Sequence, residues 1–142
     1  MPTQTAGGRT REPCENLTAL AESAYPNEAC GALIGRRNEA GSSIHEVASA
    51  ENLNRERAHD RYELNPVDLL KSEERAASTG AEVLGIWHTH PDHPAIPSET
   101  DRLAAWEGWS YIIVSVLKGR CRSHRPWRLV QANRNASGRR RV

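Results

Sequence analysis

The sequence predicts an α/β fold: a sandwich with a mixed β-sheet flanked by helices. Three observations predict it. Runs with strand patterning alternate with runs of helical periodicity, hairpin signals stand near both ends, and 142 residues suffice for one core but not for two ordinary domains.

The elements follow in order. Residues 13–25 place Leu17, Leu20, Ala21 and Ala24 at helical spacing, and Pro26 stops the helix. Residues 29–35 are a short apolar run between Glu28 and Arg36-Arg37, the pattern of a buried strand. Asn38 to Ser42 reads as a turn, with residues 44–50 as the returning hairpin strand. The polar stretch 51–61 reads as a loop, followed by a brief strand over 61–64. Asn65 then caps a helix with Pro66 at its first position, Val67, Leu70 and Ala77 turned inward, and Gly80 at its end. Residues 82–90 form an apolar strand through Val83, Leu84 and Ile86, and three prolines stiffen the loop at 91–97. Ser98 opens a helix carrying Leu103, Ala104 and Trp106. Residues 111–117 are rich in Ile and Val, as in a central strand, and Gly119 turns the chain into a last strand over 121–130. The folded domain is thus expected at 12–130, with flexible tails at 1–11 and 131–142.

Bulk properties narrow the function classes. With 37% apolar and 26% charged residues the chain reads as soluble and globular. No apolar run approaches a membrane span, and the first residues lack the apolar core of a secretory signal, so no membrane partner is expected. The net charge is +1, yet residues 131–142 hold four arginines and no acid, leaving 15 basic against 18 acidic side chains elsewhere. That body does not suggest nucleic acid as a partner. Three cysteines without paired spacing argue against a disulfide framework and fit a cytoplasmic protein. Cys30, in an apolar run, reads as a buried small hydrophobe.

The chemistry concentrates in Gly85-Ile86-Trp87-His88-Thr89-His90-Pro91 and in Ser98-Glu99-Thr100-Asp101. Alternation along a strand turns His88 and His90 to one face and Thr89 to the other. With Asp101 they make a set that can hold a zinc ion through three protein ligands and leave a fourth position open, the mark of a catalytic site. Each part also has a simpler reading. The histidines can be a surface pair, and Ser98-x-x-Asp101 resembles a helix capping box. The two readings of Asp101 are compatible, because a cap fixes its carboxylate on the first turn. Hydrolysis needs one further group, a carboxylate that moves protons without binding the metal. Glu28, just ahead of the first strand, is the candidate; alone it is only a loop acid.

Together, Glu28, His88-x-His90-Pro91 and Ser98-x-x-Asp101, with seven residues between His90 and Ser98, resemble the motif of the JAMM (MPN+, Mov34-type) zinc metalloproteases. The flanking text matches as well: Glu-x-Cys-Gly-x-Leu-x-Gly from Glu28, and Gly-x-x-His-Thr-His-Pro from Gly85. The small bacterial branch is similar also in Pro91-Asp92-His93-Pro94-Ala95, in the strand from Trp109 to Val116, and in Trp127-Arg128-Leu129. The resemblance implies a cytidine-deaminase-like fold and a Zn²⁺-dependent peptidase. It implies His88, His90 and Asp101 as metal ligands, Glu28 as the base that activates water, and Ser98 as an oxyanion donor. It further implies that the substrate is a ubiquitin-like sulfur carrier protein, cleaved after its C-terminal Gly-Gly. A non-catalytic binding module and a deubiquitinase-like isopeptidase are the alternatives on the same fold. His93 stands between orienting a ligand and lining a loop surface, while His45, His59 and His124 read as solvent-facing. Asn52 and Arg61-Tyr62 resemble family positions but take no role from the sequence.

Overall fold

A computed structural model of the protein describes residues 12–128. The expected flexible tails at 1–11 and 131–142, and the last two residues of the strand expected over 121–130, lie outside the described residues.

The chain opens with α1 (Pro13–Ala24), which Glu12 and Glu15 begin as a capping box with Pro13 in the first turn. A hairpin follows, β1 (Cys30–Asn38) and β2 (Gly41–Ala50). Next come α2 (Pro66–Ser78), β3 (Glu82–Pro91), the short α3 (Glu99–Ala104), β4 (Ser110–Leu117) and β5 (Arg120–Trp127). The five strands form one sheet in the order β2-β1-β3-β4-β5. Only β3 and β4 run parallel; the other neighbours are antiparallel. The mixed α/β sandwich expected from the sequence is therefore the fold observed.

Alternation divides the sheet into two faces. One packs Leu33, Val47, Leu84, Trp87, Val114 and Val116 against Leu17 and Ala21 of α1. Trp87 is fully buried there, and its indole N–H donates to the Ala48 carbonyl at 2.9 Å. Gly31 makes this approach possible, because a Cβ at that position would stand 1.8 Å from the Ala48 carbonyl oxygen. The other face carries Cys30, Ala32 and Ile34 of β1, Ile86, His88 and His90 of β3, and Tyr111, Ile113 and Ser115 of β4, in register across the sheet. Arg36, on that same side of β1, donates to the carbonyls of Thr79 and Gly80 at the end of α2, so α2 covers the face opposite α1.

Three local expectations need correction. In α2 the inward residues are Ser72 and Ala76, while Val67 and Leu70 are more than half exposed and Ala77 is exposed. Helical spacing gave the right period and the wrong phase, since the small face is the one that fits closely against the sheet. Residues 61–64 form no strand; a single bridge joins Asn52 to Leu64. The helix that Ser98 opens ends at Ala104, and Trp106 stands beyond it, exposed, with its ring edge-on to Trp109.

Candidate metal centre

β3 delivers both histidines. His88 and His90 pair with Ile113 and Ser115 of β4, so both rings rise from the face opposite α1. Thr89 points the other way and is buried. Its hydroxyl accepts the Ala29 N–H at 2.8 Å, which ties the chain beside Glu28 to β3. The Glu28 N–H donates to the Ala58 carbonyl at 2.6 Å and its own carbonyl accepts from the Asn52 amide at 3.2 Å. The predicted acid is therefore brought to the histidines by contacts on both sides of its backbone.

Asp101 arrives on the first turn of α3. Ser98 Oγ accepts the Asp101 N–H at 3.0 Å, and the Asp101 carboxylate accepts the Ser98 N–H at 2.9 Å. The capping box is thus real, and it aims Asp101 at the histidines. His88 Nε2 lies 3.2 Å from His90 Nε2 and 3.3 Å from Asp101 Oδ1, and His90 Nε2 lies 3.1 Å from Asp101 Oδ2. Two ligand atoms of a tetrahedral zinc, each about 2.0–2.1 Å from the ion, stand about 3.3–3.4 Å apart. The three side chains form a group that can hold a metal ion, and their spacing fits that edge length.

This group borders a cavity of about 690 Å³. Glu28, His90, Ser98 and Asp101 line it together with Tyr62, Glu63 and Leu64, and Ile86 and Ile96 add apolar surface. Four of the five residues singled out from the sequence open onto this space, and the fifth, His88, is buried in contact with His90 and Asp101.

Similarity to known proteins accords with this geometry. The family described as prokaryotic homologs of the JAB domain matches residues 12–130. The chain belongs to this family. Among its relatives, a protein named desampylase from Haloferax volcanii is 35% identical over 102 residues, 70% of this chain and 69% of that one. A second desampylase, from Pyrococcus furiosus, is 32% identical over 108 residues, 75% of this chain and 70% of its own. The solution structure of a Salinibacter ruber protein superposes with a TM-score of 0.63 at 35% identity, covering 82% of this chain and 78% of that one.

Electrostatics in this JAB domain suit a cation. Burial would raise the Asp101 carboxyl, but the hydrogen bonds from His88, His90 and the Ser98 N–H outweigh it and hold the group well below the usual carboxylate range. Burial lowers His88, which favours the neutral ring a metal requires. Burial also acts to lower His90, yet its bonds to Asp101 and to the Pro94 carbonyl leave it raised. Since that carbonyl can only accept, His90 Nδ1 donates to it at 2.8 Å, and Nε2 is the ring nitrogen that faces His88 and Asp101. Burial pushes Glu28 up to about 8, against a smaller opposing effect of His90. Burial likewise pushes the Cys30 thiol up to about 12, so this cysteine is the inert packing residue expected of it.

The remaining histidines of the JAB domain separate cleanly. His45, His59 and His124 are exposed, as expected. His93 lines the cavity, but the carbonyl that orients His90 belongs to Pro94; the carbonyl of His93 instead accepts from Ser115 Oγ at 2.6 Å and anchors the loop. Sequence reasoning gave no role to Asn52 or Tyr62. Asn52 joins Glu28 to the 61–63 segment, and Tyr62 stacks on His88. The only sequence signal for them was their resemblance to family positions, because their partners lie far away along the chain.

Proposed function

We propose that this protein is a zinc peptidase that hydrolyses the peptide or isopeptide bond following the C-terminal Gly-Gly of a ubiquitin-like sulfur carrier protein. The observation that carries the proposal is the triangle of His88 Nε2, His90 Nε2 and Asp101 oxygens, with sides of 3.1–3.3 Å, standing at a cavity that Glu28 and Ser98 share. Membership of the JAB family and the two relatives named desampylase support a hydrolase that acts on attached ubiquitin-like proteins.

In this reading His88, His90 and Asp101 hold the metal and the residues 12–130 form the catalytic domain. A Zn²⁺ bound there supplies Lewis acidity and brings the pKa of water down to about 7. Glu28 takes the proton from the attacking water and returns it to the leaving amine; a carboxyl lifted by burial toward neutral pH is suited to both transfers. The Ser98 hydroxyl accepts the Asp101 N–H through a lone pair, which leaves its own proton free to donate to the oxyanion that forms on the scissile carbonyl. Capping and catalysis therefore use different parts of one hydroxyl. The walls of the cavity at 62–64 and at Ile96 receive the narrow C-terminal tail, for which glycines leave room. Cys14, Cys30 and Cys121 are free thiols, which fits the reducing cytoplasm we assign as the place of action.

The test is incubation of the zinc-loaded protein with sulfur carriers extended beyond Gly-Gly, followed by intact mass. The expected product is a carrier ending in Gly-Gly. An unchanged mass for every extended carrier, with zinc bound at one per chain, overturns the substrate assignment.

A further inference from the structure

We infer that Tyr62 is a positioning residue that fixes the ring plane of His88, in the place where a metal-binding histidine ordinarily has a hydrogen bond. The inference rests on the reading of His88 as a ligand. A ligating imidazole usually donates its second N–H to a carboxylate or carbonyl, and that bond sets the ring's rotation. His90 follows this rule through the Pro94 carbonyl. His88 does not: its Nε2 faces His90 and Asp101, while its Nδ1 is buried with no hydrogen-bond partner among the described residues. Rotamer preference does not supply the missing restraint, because the ring torsion of histidine is broad.

What meets the ring is the face of Tyr62. The two centroids lie 4.5 Å apart with planes inclined by only 23°, a stacked pair. His88 also meets the His90 ring at a steep angle, with centroids 5.0 Å apart and planes inclined by 61°. The imidazole is thus in contact with two rings, and only Tyr62 lies flat against it, as a wall.

The wall is itself held. The Asn52 side chain donates to the Arg61 carbonyl at 3.1 Å and accepts the Glu63 N–H at 3.0 Å, gripping the backbone on each side of Tyr62. The Leu53 N–H adds a bond to the Glu63 carbonyl at 2.8 Å. The same Asn52 amide binds the Glu28 carbonyl. One side chain therefore sets the distance between the acid and the wall behind His88. A flat ring pressed on the imidazole requires no hydroxyl, so the effect belongs to the aromatic face.

The experiment measures Zn²⁺ affinity of the full chain against a competing chromophoric chelator, with the visible spectrum of the Co²⁺-loaded protein as a second readout. Tyr62→Phe is expected to keep both within threefold of wild type and unchanged in band shape. Tyr62→Leu is expected to weaken Zn²⁺ by about 10–100-fold and to shift the Co²⁺ bands. If Tyr62→Leu does not fold, Tyr62→Met, which retains most of the buried volume, carries the same expectation. Wild-type affinity and spectrum in the non-aromatic variant overturn the inference, as does a loss in Tyr62→Phe equal to that in Tyr62→Leu. Failure of the ligand reading looks different: wild type then binds Zn²⁺ no better than His88→Ala.

Discussion

Ser98 and Asp101 hold each other by two reciprocal hydrogen bonds, backbone N–H to side chain in both directions, at 3.0 and 2.9 Å. The pair that starts α3 is also the pair that presents a carboxylate to His88 and His90. One helix start both caps α3 and sets a carboxylate against two imidazoles, so the structural role of these residues and the roles proposed for them are separable only by choosing substitutions with care.

Asp101→Ala is expected to reduce bound zinc sharply, because it removes the only carboxylate of the triangle. It also removes half of the capping box, at a cost of about 1 kcal/mol. A metal assay that still returns one zinc per chain takes Asp101 out of the ligand set.

Ser98 is best tested with two variants. Ser98→Ala removes both the cap and the donor, while Ser98→Gly removes the donor at a capping cost of only a few tenths of a kcal/mol. Both are expected to lower kcat by about 10²–10³-fold with zinc retained. If Ser98→Gly keeps wild-type turnover, the hydroxyl acts as a cap alone.

Glu28→Ala is expected to abolish cleavage while zinc content stays near one per chain, since Glu28 is assigned to move protons and not to bind the metal. Elemental analysis of the purified variant checks this, and loss of metal would reassign the residue as a ligand.

The metal-free protein carries a pH signature of the same residue. Glu28 is 7% exposed, and burial raises its carboxyl from 4.5 to about 8. The folded state therefore binds more protons than the unfolded state between those values. Its contribution to stability is complete below pH 4.5 and is lost as pH rises toward 8, by roughly 5 kcal/mol at most. Glu28→Gln is expected to gain stability over wild type through that window, read as the difference between the two denaturation midpoints at each pH. Parallel curves for the two proteins would contradict it. Asp101 acts in the opposite sense and at lower pH: its depressed carboxyl stabilises the fold above its ordinary range and ceases to as pH falls.

On the far face of the sheet, Gly31→Ala is expected to lower thermal stability strongly. The added methyl meets the Ala48 carbonyl and the Trp87 indole, neither of which has room to withdraw within the hydrogen-bonded β1–β2 pair. Near-wild-type melting would mean that the hairpin yields more easily than its packing suggests.

Much of this protein was legible one residue at a time. Pro13, Pro26, the Asn65-Pro66 start, Gly80 and Gly119 mark element ends through local backbone chemistry, and each lies within two residues of an observed boundary. The alternation that turns His88 and His90 together is a property of any strand, so their convergence could be read before any contact was known.

The phase of α2 and the neighbours of His88 were not legible in that way. Which face of an amphipathic helix turns inward depends on the shape of the surface it meets, and here the sheet accepts Ser72 and Ala76 and leaves Val67 and Leu70 outside. The chain alone thus determined the order of elements, the donor types and their spacing, because these follow from local geometry. Only the tertiary structure decided that Tyr62 stacks on His88, that Pro94 orients His90 and that Asn52 ties Glu28 to the wall of the site. Those contacts arise where separate segments pack against one another, and packing depends on the whole fold at once.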